Sequence, residues 1–363
     1  MKAAVCREFR APLRFEDVAL SAPEANSILV RVAACAICHS DLIYIDGGWG
    51  GELPAVFGHE ASGIVERIGP EVIGFAPGDR VVITMLRSCG ECPCCVAGLR
   101  GSCEADFPLA RRSPLTDPAG TPIGQGMKTA TFAERAVVHP SQLVKIGDSV
   151  PFDVASLLAC GVITGYGAVV NTARMPPGAD VAVIGTGGVG VNSVQAAAIE
   201  GARRIIAVDV SDEKLAAAEQ FGATHRVRAG ETLGQTVRAI TGGRGVDYVF
   251  VTAGAKAAID GCLELLAPGG TAVLVGIPAS GVLSSYDPGT LASASQRILG
   301  SKMGASDIRV DIPRLIELYR AKTLKLDDLI TGSFAFEDIN AALDTARRGQ
   351  GLRNVVTFGD RAA

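Results

Sequence analysis

The sequence predicts an α/β protein of two domains, a β-rich one followed by a doubly wound one built on a parallel sheet. Two observations carry this. The chain has 363 residues, too many for one ordinary core and enough for two. Its hydrophobic pattern also changes character near residue 150.

Up to about Val150 the chain consists of short β-like runs (LVRVAA, GIVERIG, RVVIT, FAERAVV) broken by Gly and Pro, as at Gly69-Pro70 and Pro77-Gly78. This predicts a twisted, partly barrel-like β domain over 1–150. From Pro151 strands alternate with Ala-rich helical stretches: VAVIG, VNSVQAAAIEGA, RIIAVDV, DEKLAAAEQFGA, then DYVFVTAG, AAIDGCLELLA and TAVLVGI. Successive βαβ units of this kind predict a parallel sheet over 151–302. Two amphipathic stretches, IPRLIELYRAKTL and FEDINAALDTARRG, and a final strand, RNVVTF, complete the chain. Sequence alone would allow these in either domain; we assign 303–363 back to the first.

The 34 Lys plus Arg nearly offset the 38 Asp plus Glu, and no basic block stands out. The expected partners are therefore small molecules, with no nucleic acid and no membrane. The start, MKAAVCREFR, lacks the design of an export signal, so a cytoplasmic location is expected. The uncharged run from Val154 to Ala173 carries Ser156, Gly161, Thr164, Gly165, Gly167 and Asn171. That polarity suits a buried segment near a site, not a membrane span.

Gly185-Thr-Gly-Gly-Val-Gly190 follows the strand AVI and opens a helix near Val191, which is the context a dinucleotide-binding turn requires. Gly185 permits the tight turn, Gly187 lets the backbone approach a pyrophosphate, and Gly190 allows close helix-to-strand packing. Gly188 and Val189 complete the turn, and the phosphates would meet the free N–H groups of the helix N-terminus. Asp209 ends the next strand, where its carboxylate can accept both ribose hydroxyls and would repel a 2′-phosphate. NAD is therefore expected over NADP. Lys214 could also reach the adenosine ribose, or be an ordinary solvated helix lysine.

Ten cysteines bunched in a cytosolic chain point to metal rather than disulfides. Cys89, Cys92, Cys94, Cys95 and Cys103 share one Gly-rich loop. Closed four-coordinate sites are often all-cysteine, so we assign Cys89, Cys92, Cys95 and Cys103 to a structural zinc. Cys94 is then spare, though a register shift would let it compete, and a redox or disulfide cluster is the alternative. Cys38, His59 and Cys160 are scattered, and no spacing rule joins them. Cys35 and Cys38 alone could be a separate redox pair.

Taken together, Cys38-His39-Ser40-Asp41, Gly58-His59-Glu60, the cysteine loop, Cys160-Gly-Val-Ile-Thr-Gly-Tyr-Gly167 and the Gly-rich turn resemble the zinc-containing medium-chain alcohol dehydrogenases. The motifs occur in that family's order and span essentially the whole chain. The resemblance implies a GroES-like catalytic domain, a Rossmann cofactor domain and a catalytic zinc held by Cys38, His59 and Cys160. Alcohol dehydrogenase is itself the standard example of such a Cys₂His site. The implied reaction interconverts an alcohol and its aldehyde or ketone by hydride transfer from a zinc-bound alkoxide to NAD, with two zinc ions per chain.

The resemblance also implies individual roles. Glu60 would sit behind the zinc and tune ligand exchange, and Asp41 would hydrogen-bond the ligating histidine. Ser40 would accept the alcohol proton. The family's relay usually ends on a histidine three residues later, and here that residue is Ile43, so the proton must leave through ribose hydroxyls and water or another base. His39 and Arg353 would contact the pyrophosphate, Thr164 would pack the nicotinamide, and Val275 and Ile277 would also lie at the cofactor. Trp49 and Met85 fall where the family lines its substrate channel, with Lys302 and Met303 at the outer pocket. The long loop 104–130 is like that of dimeric members and suggests a homodimer, with a tetramer as the alternative.

The runner-up substrate is an S-hydroxymethyl thiol adduct, since Cys-His-Ser-Asp-Leu and Asn171-Thr-Ala-Arg also resemble the thiol-adduct formaldehyde dehydrogenases. A zinc-free quinone reductase would lack both metal motifs. A zinc-stabilised, nucleotide-binding sensor would need no open metal site.

Overall fold

A computed structural model describes residues 1–359. By its internal contacts the chain divides into two units. The first comprises Met1–Cys160, Asp307–Glu317 and the chain from Leu326 onward; the second comprises Gly161–Ser306 and Leu318–Lys325. The border thus falls ten residues beyond the expected 150. The helix Phe152–Leu157 is the reason: it packs on the strands Ile28–Ala36 and Glu60–Ile68, and Ser62 Oγ donates to the Phe152 carbonyl at 2.6 Å. The return is also interrupted. Gln195 of the second unit both accepts from the Lys325 N–H (2.8 Å) and donates to the Lys325 carbonyl (3.1 Å).

The first unit holds two sheets. One runs Leu143–Lys145, Arg80–Ile83, Glu60–Ile68, Ile28–Ala36, Arg353–Thr357 and Ile330–Ala335, with Arg135–Val138 also pairing Ile28–Ala36. Ile28–Ala36 is its hub. Its start pairs Arg135–Val138 while its end pairs both Glu60 (with Ala36) and Val355 (with Ala36). The second sheet collects shorter strands, including Leu115–Thr116 and Pro122–Gln125 from the long 104–130 loop. Seven of nine residues in the hub strand are buried, as a strand covered on both faces requires.

The second unit is a six-stranded parallel sheet in the order His225–Arg228, Arg204–Asp209, Asp180–Ile184, Val246–Val251, Leu266–Leu274, Arg297–Gly300. Asp180–Ile184 is buried at every residue. It runs into the glycine turn, after which Gly190–Ile199 forms a helix. The uncharged run becomes the helices Phe152–Leu157 and Gly161–Gly167 and a wider turn over Ala168–Ala173. Among the described residues no helix is long and apolar enough to cross a membrane.

Candidate functional site

The end of the hub strand organises the first donor cluster. The chain leaves Ala36, Ile37 N–H donates to the Asn354 carbonyl (2.8 Å), and Cys38 adopts an extended conformation before the helix His39–Ile45. Asp41, in that helix's first turn, is fully buried. Its Oδ2 accepts from the Cys38 N–H (2.9 Å), and its Oδ1 accepts from the Gly58 N–H (3.2 Å) and faces His59 Nδ1 at 3.1 Å. One carboxylate thus ties together two segments that each carry a donor.

Cys38, His59, Glu60 and Cys160 are all buried, and one donor atom from each lies within 4.8 Å of the others. His59 Nε2 has no hydrogen-bond partner, and neither has Glu60 Oε1. An orphaned buried imidazole nitrogen is costly unless something else meets it. The Cys160 thiol donates toward Cys38 and holds Cys38 well below the usual thiol range, with His59 adding to the effect and burial opposing it. Cys160 moves well up for the same reason. Burial pushes His59 down, but Asp41 and Cys38 together pull it well above the ordinary imidazole value. A thiol sharing its proton with a thiolate beside an imidazole is a set that a divalent cation would relieve of its protons. Two sulfurs and one imidazole nitrogen suit zinc.

Glu60 and Arg353 form one buried pair. Glu60 is pushed up to about 7 by burial, against the pull of Arg353 and with Cys38 adding to the rise. Arg353, expected at the pyrophosphate, is buried at 5% exposure and its Nη2 pairs with Glu60 Oε2. The register explains the turn inward: the two strands carrying Glu60 and Arg353 flank the hub strand at Ala36. A separation of 293 residues left no local sign of this pair.

In the cysteine loop the Sγ–Sγ distances are 3.9 Å for Cys89–Cys95, 3.9 Å for Cys92–Cys103 and 3.6 Å for Cys103–Cys89. These are far beyond a disulfide bond length, and all ten cysteines are free. The four sulfurs form one group, and Cys94 is not part of it. Backbone N–H groups aim at the sulfurs: Cys92 and Glu91 at Cys89, Cys89 at Cys103, Glu104 at Cys92. The N–H of Glu104 leads in drawing Cys92 down to about 6, whereas burial holds Cys95 up at about 12.

In the second unit a Cβ on Gly190 would stand 1.8 Å from the Gly185 carbonyl oxygen, so only glycine fits there. Gly187 meets nothing within 4 Å, leaving its backbone open to approach. Gly188 and Val189 close the turn, with the Gly188 carbonyl accepting from Asn192 Nδ2 (2.8 Å) and Val189 preceding the helix. Asp209 is 8% exposed. Its Oδ2 accepts from the Thr186 N–H at 2.7 Å and its Oδ1 from the Ser211 N–H at 3.0 Å. A cavity of about 450 Å³ opens beside it, lined by Gly185, Asp209, Val210, Ala229 and Gly230 among others. Lys214 sits half-buried in the next helix, its N–H donating to Ser211 Oγ, and does not line that cavity. Val275 is buried and Ile277 exposed. Thr164 is buried, its hydroxyl 3.7 Å from Met303 Sδ.

His39 is exposed, and Ser40 Oγ lies 3.5 Å from Cys38 Sγ. Trp49 packs edge-on against Tyr44 (5.0 Å between centroids), which stacks on Phe57 (5.6 Å). Met85 packs against the β core, and Lys302 is exposed. Tyr44 and Phe57 went unnoticed in the sequence, although Tyr44 stands one helical turn after Ser40.

Comparison with known proteins accords with this geometry. Residues 24–148 match the alcohol dehydrogenase GroES-like domain and residues 188–321 match the zinc-binding dehydrogenase domain. The chain is 36% identical to alcohol dehydrogenase B of Mycobacterium tuberculosis, over 99% of this chain and 98% of the relative. The chain belongs to the zinc-containing medium-chain alcohol dehydrogenases. It is also 37% identical to the class-3 alcohol dehydrogenase of Pisum sativum, over 99% and 98% of the two chains. Benzyl alcohol dehydrogenase from Acinetobacter calcoaceticus superposes with a TM-score of 0.92 at 31% identity, covering 99% of each chain. The first unit is thus GroES-like and the second Rossmann-like, and the chain is a zinc alcohol dehydrogenase with a nucleotide cofactor.

Proposed function

We propose that this enzyme interconverts a primary or secondary alcohol and its aldehyde or ketone, with the hydride passing between the carbinol carbon and NAD. One observation carries the reading: the buried Cys38, His59 and Cys160 donors converge where His59 Nε2 has no other partner. These three residues would hold a zinc ion, which when bound supplies Lewis acidity that acidifies a hydroxyl or polarises a carbonyl. Asp41 accepts the Nδ1 proton of His59 and so leaves the Nε2 lone pair facing the cluster. Glu60, paired to Arg353, stands behind these ligands and tunes their exchange. Ser40 takes the proton of the alcohol hydroxyl. Ile43 carries no titratable atom, so it would not pass that proton on; bound NAD would supply ribose hydroxyls as an exit, alongside water or another base. Trp49 and Met85 give the channel an apolar lining, and His39, Thr164, Lys214, Val275 and Ile277 serve the cofactor.

A panel of alcohols and aldehydes followed by NADH absorbance tests the reading, with and without a low-molecular-weight thiol. Turnover of free alcohols without thiol supports it. Turnover that requires the thiol would shift the substrate to an S-hydroxymethyl adduct, and no chelator-sensitive turnover with any member would sink it.

The four-cysteine loop would hold a second, closed zinc, so metal analysis is expected to find about two zinc ions per chain. One ion, or none, removes a site. The cavity beside Asp209 supports NAD over NADP, because the carboxylate that takes the ribose hydroxyls repels a 2′-phosphate. Asp209→Gly is expected to shift the NAD-to-NADP ratio of kcat/KM by roughly 10- to 100-fold, the worth of a hydrogen bond to a charged group. An unchanged ratio would mean that Asp209 does not read the ribose.

A cytoplasmic homodimer is the assembly we favour. The last strand of the parallel sheet, Arg297–Gly300, has no outer neighbour among the described residues, and Leu283 and Tyr286 are exposed in the segment before it. A monomer mass by light scattering would exclude the dimer.

A further inference from the structure

Three non-glycine residues of the segment 126–132 have positive φ: Met127 at 51°, Lys128 at 65° and Ala130 at 57°. Left-handed backbone is unfavourable for residues with a Cβ and persists where the surroundings over-determine it. Here the surroundings are specific on both sides of the turn.

On one side stands Arg87, 3% exposed. It donates to neutral acceptors: from Nε to Gln142 Oε1 (2.9 Å), and from Nη2 to the Lys128 carbonyl (3.0 Å) and Gln125 Oε1 (3.5 Å). Gln142, fully buried, adds a second donor to the same Lys128 carbonyl from Nε2 (3.1 Å). A guanidinium is seldom buried unless its donors are met, because exposing them to an apolar interior is costly. This one is spent on the backbone of a left-handed turn.

On the other side the turn grips Gly58. Thr129 Oγ1 donates to the Gly58 carbonyl at 2.7 Å, and the Thr131 N–H donates to it at 3.1 Å. The Gly58 N–H is held by Asp41 Oδ1, the oxygen that faces His59 Nδ1. Gly58 itself has φ of +88°, and a Cβ there would stand 2.6 Å from the Phe132 amide nitrogen. Gly58 is therefore pinned on both sides: its N–H, in the peptide from Phe57, by Asp41, and its carbonyl, in the peptide leading into His59, by this turn.

We propose that Arg87 and Thr129 are positioning residues for His59: Arg87 locks the left-handed turn through the Lys128 carbonyl, and Thr129 transmits that lock to the Gly58 carbonyl. The inference rests on the reading above that His59 is a zinc ligand. It adds that the imidazole's placement depends on a residue in the segment between the strand Arg80–Ile83 and the cysteine loop, remote in sequence from His59. Thr129 is not among the four donors of the His59 cluster, so its effect should appear in how firmly zinc is held.

The test uses the zinc-loaded enzyme and follows zinc release to a chromogenic chelator, with His59→Ala identifying which release phase belongs to the His59 cluster. Thr129→Val and Arg87→Met are expected to speed that phase about tenfold, the scale on which residues supporting a ligand act. Thr129→Val should leave the phase from the cysteine loop unchanged, and Thr129→Ser, which keeps the hydroxyl, should restore wild-type release. Should Arg87→Met fail to fold, the two Thr129 variants decide alone. A His59-dependent phase at the wild-type rate in Thr129→Val overturns the proposal and leaves the zinc reading standing. If no phase depends on His59, the zinc reading falls, and this proposal with it.

Discussion

Replacing Cys160 by alanine is expected to lower turnover by at least ~10³-fold, the scale of losing metal-derived stabilisation of charge in the transition state, while NAD still binds. Cys160 is buried and one of only two sulfurs in the His59 cluster. Alanine removes a donor without supplying another, and two remaining ligands plus Glu60 make a poorer, harder set for zinc. The nucleotide turn is built from residues of the second unit, Gly185–Gly190 and Asp209, and its Thr186–Asp209 and Asn192–Gly188 hydrogen bonds lie within that unit. Steady-state kinetics with NADH-binding titrations separate the two effects. Thermal unfolding of the same sample guards against a loss that is merely unfolding, since truncating one small buried side chain costs modestly. Activity near wild type would remove Cys160 from the metal shell.

How much of this was legible depends on distance along the chain. The glycine turn and the cysteine loop are local: each is a contiguous motif whose spacing limits the geometry, and the structure groups the same four sulfurs while omitting Cys94. The parallel sheet was legible because strands buried on both faces read as apolar runs between helices. The Cys38, His59 and Cys160 cluster was not legible from spacing. It exists because the hub strand delivers Cys38 beside the strand that begins at Glu60, and because the helix Phe152–Leu157 docks on both. Only resemblance linked these residues in the sequence. The same docking moved the domain border, since a helix in a stretch leading to glycine-rich sequence carries no mark of which sheet it will cover. Pinning of Gly58 by the 126–132 turn was invisible for a further reason. Three positive φ values at Met127, Lys128 and Ala130 defy the residue preferences on which turn prediction relies.

Arg353, which the resemblance puts at the pyrophosphate and which here pairs with Glu60, yields the second large effect. Arg353→Met is expected to destabilise the fold by about 3 kcal/mol, because removing one partner of a buried pair strands the other. Glu60 is fully buried and has one oxygen already without a partner. The loss should fall at the lower end of the usual range for such pairs, since a carboxyl already pushed up to about 7 can take a proton and shed its charge. Urea unfolding would show it as a lower midpoint at unchanged slope. The double variant Glu60→Leu with Arg353→Met should recover much of the stability, as apolar replacement of a whole buried pair is often neutral or better. A single variant as stable as wild type, but with weakened NAD binding, would return Arg353 to the cofactor. A single variant that is unstable while binding NAD normally would establish that this arginine holds Glu60 in place behind the metal ligands.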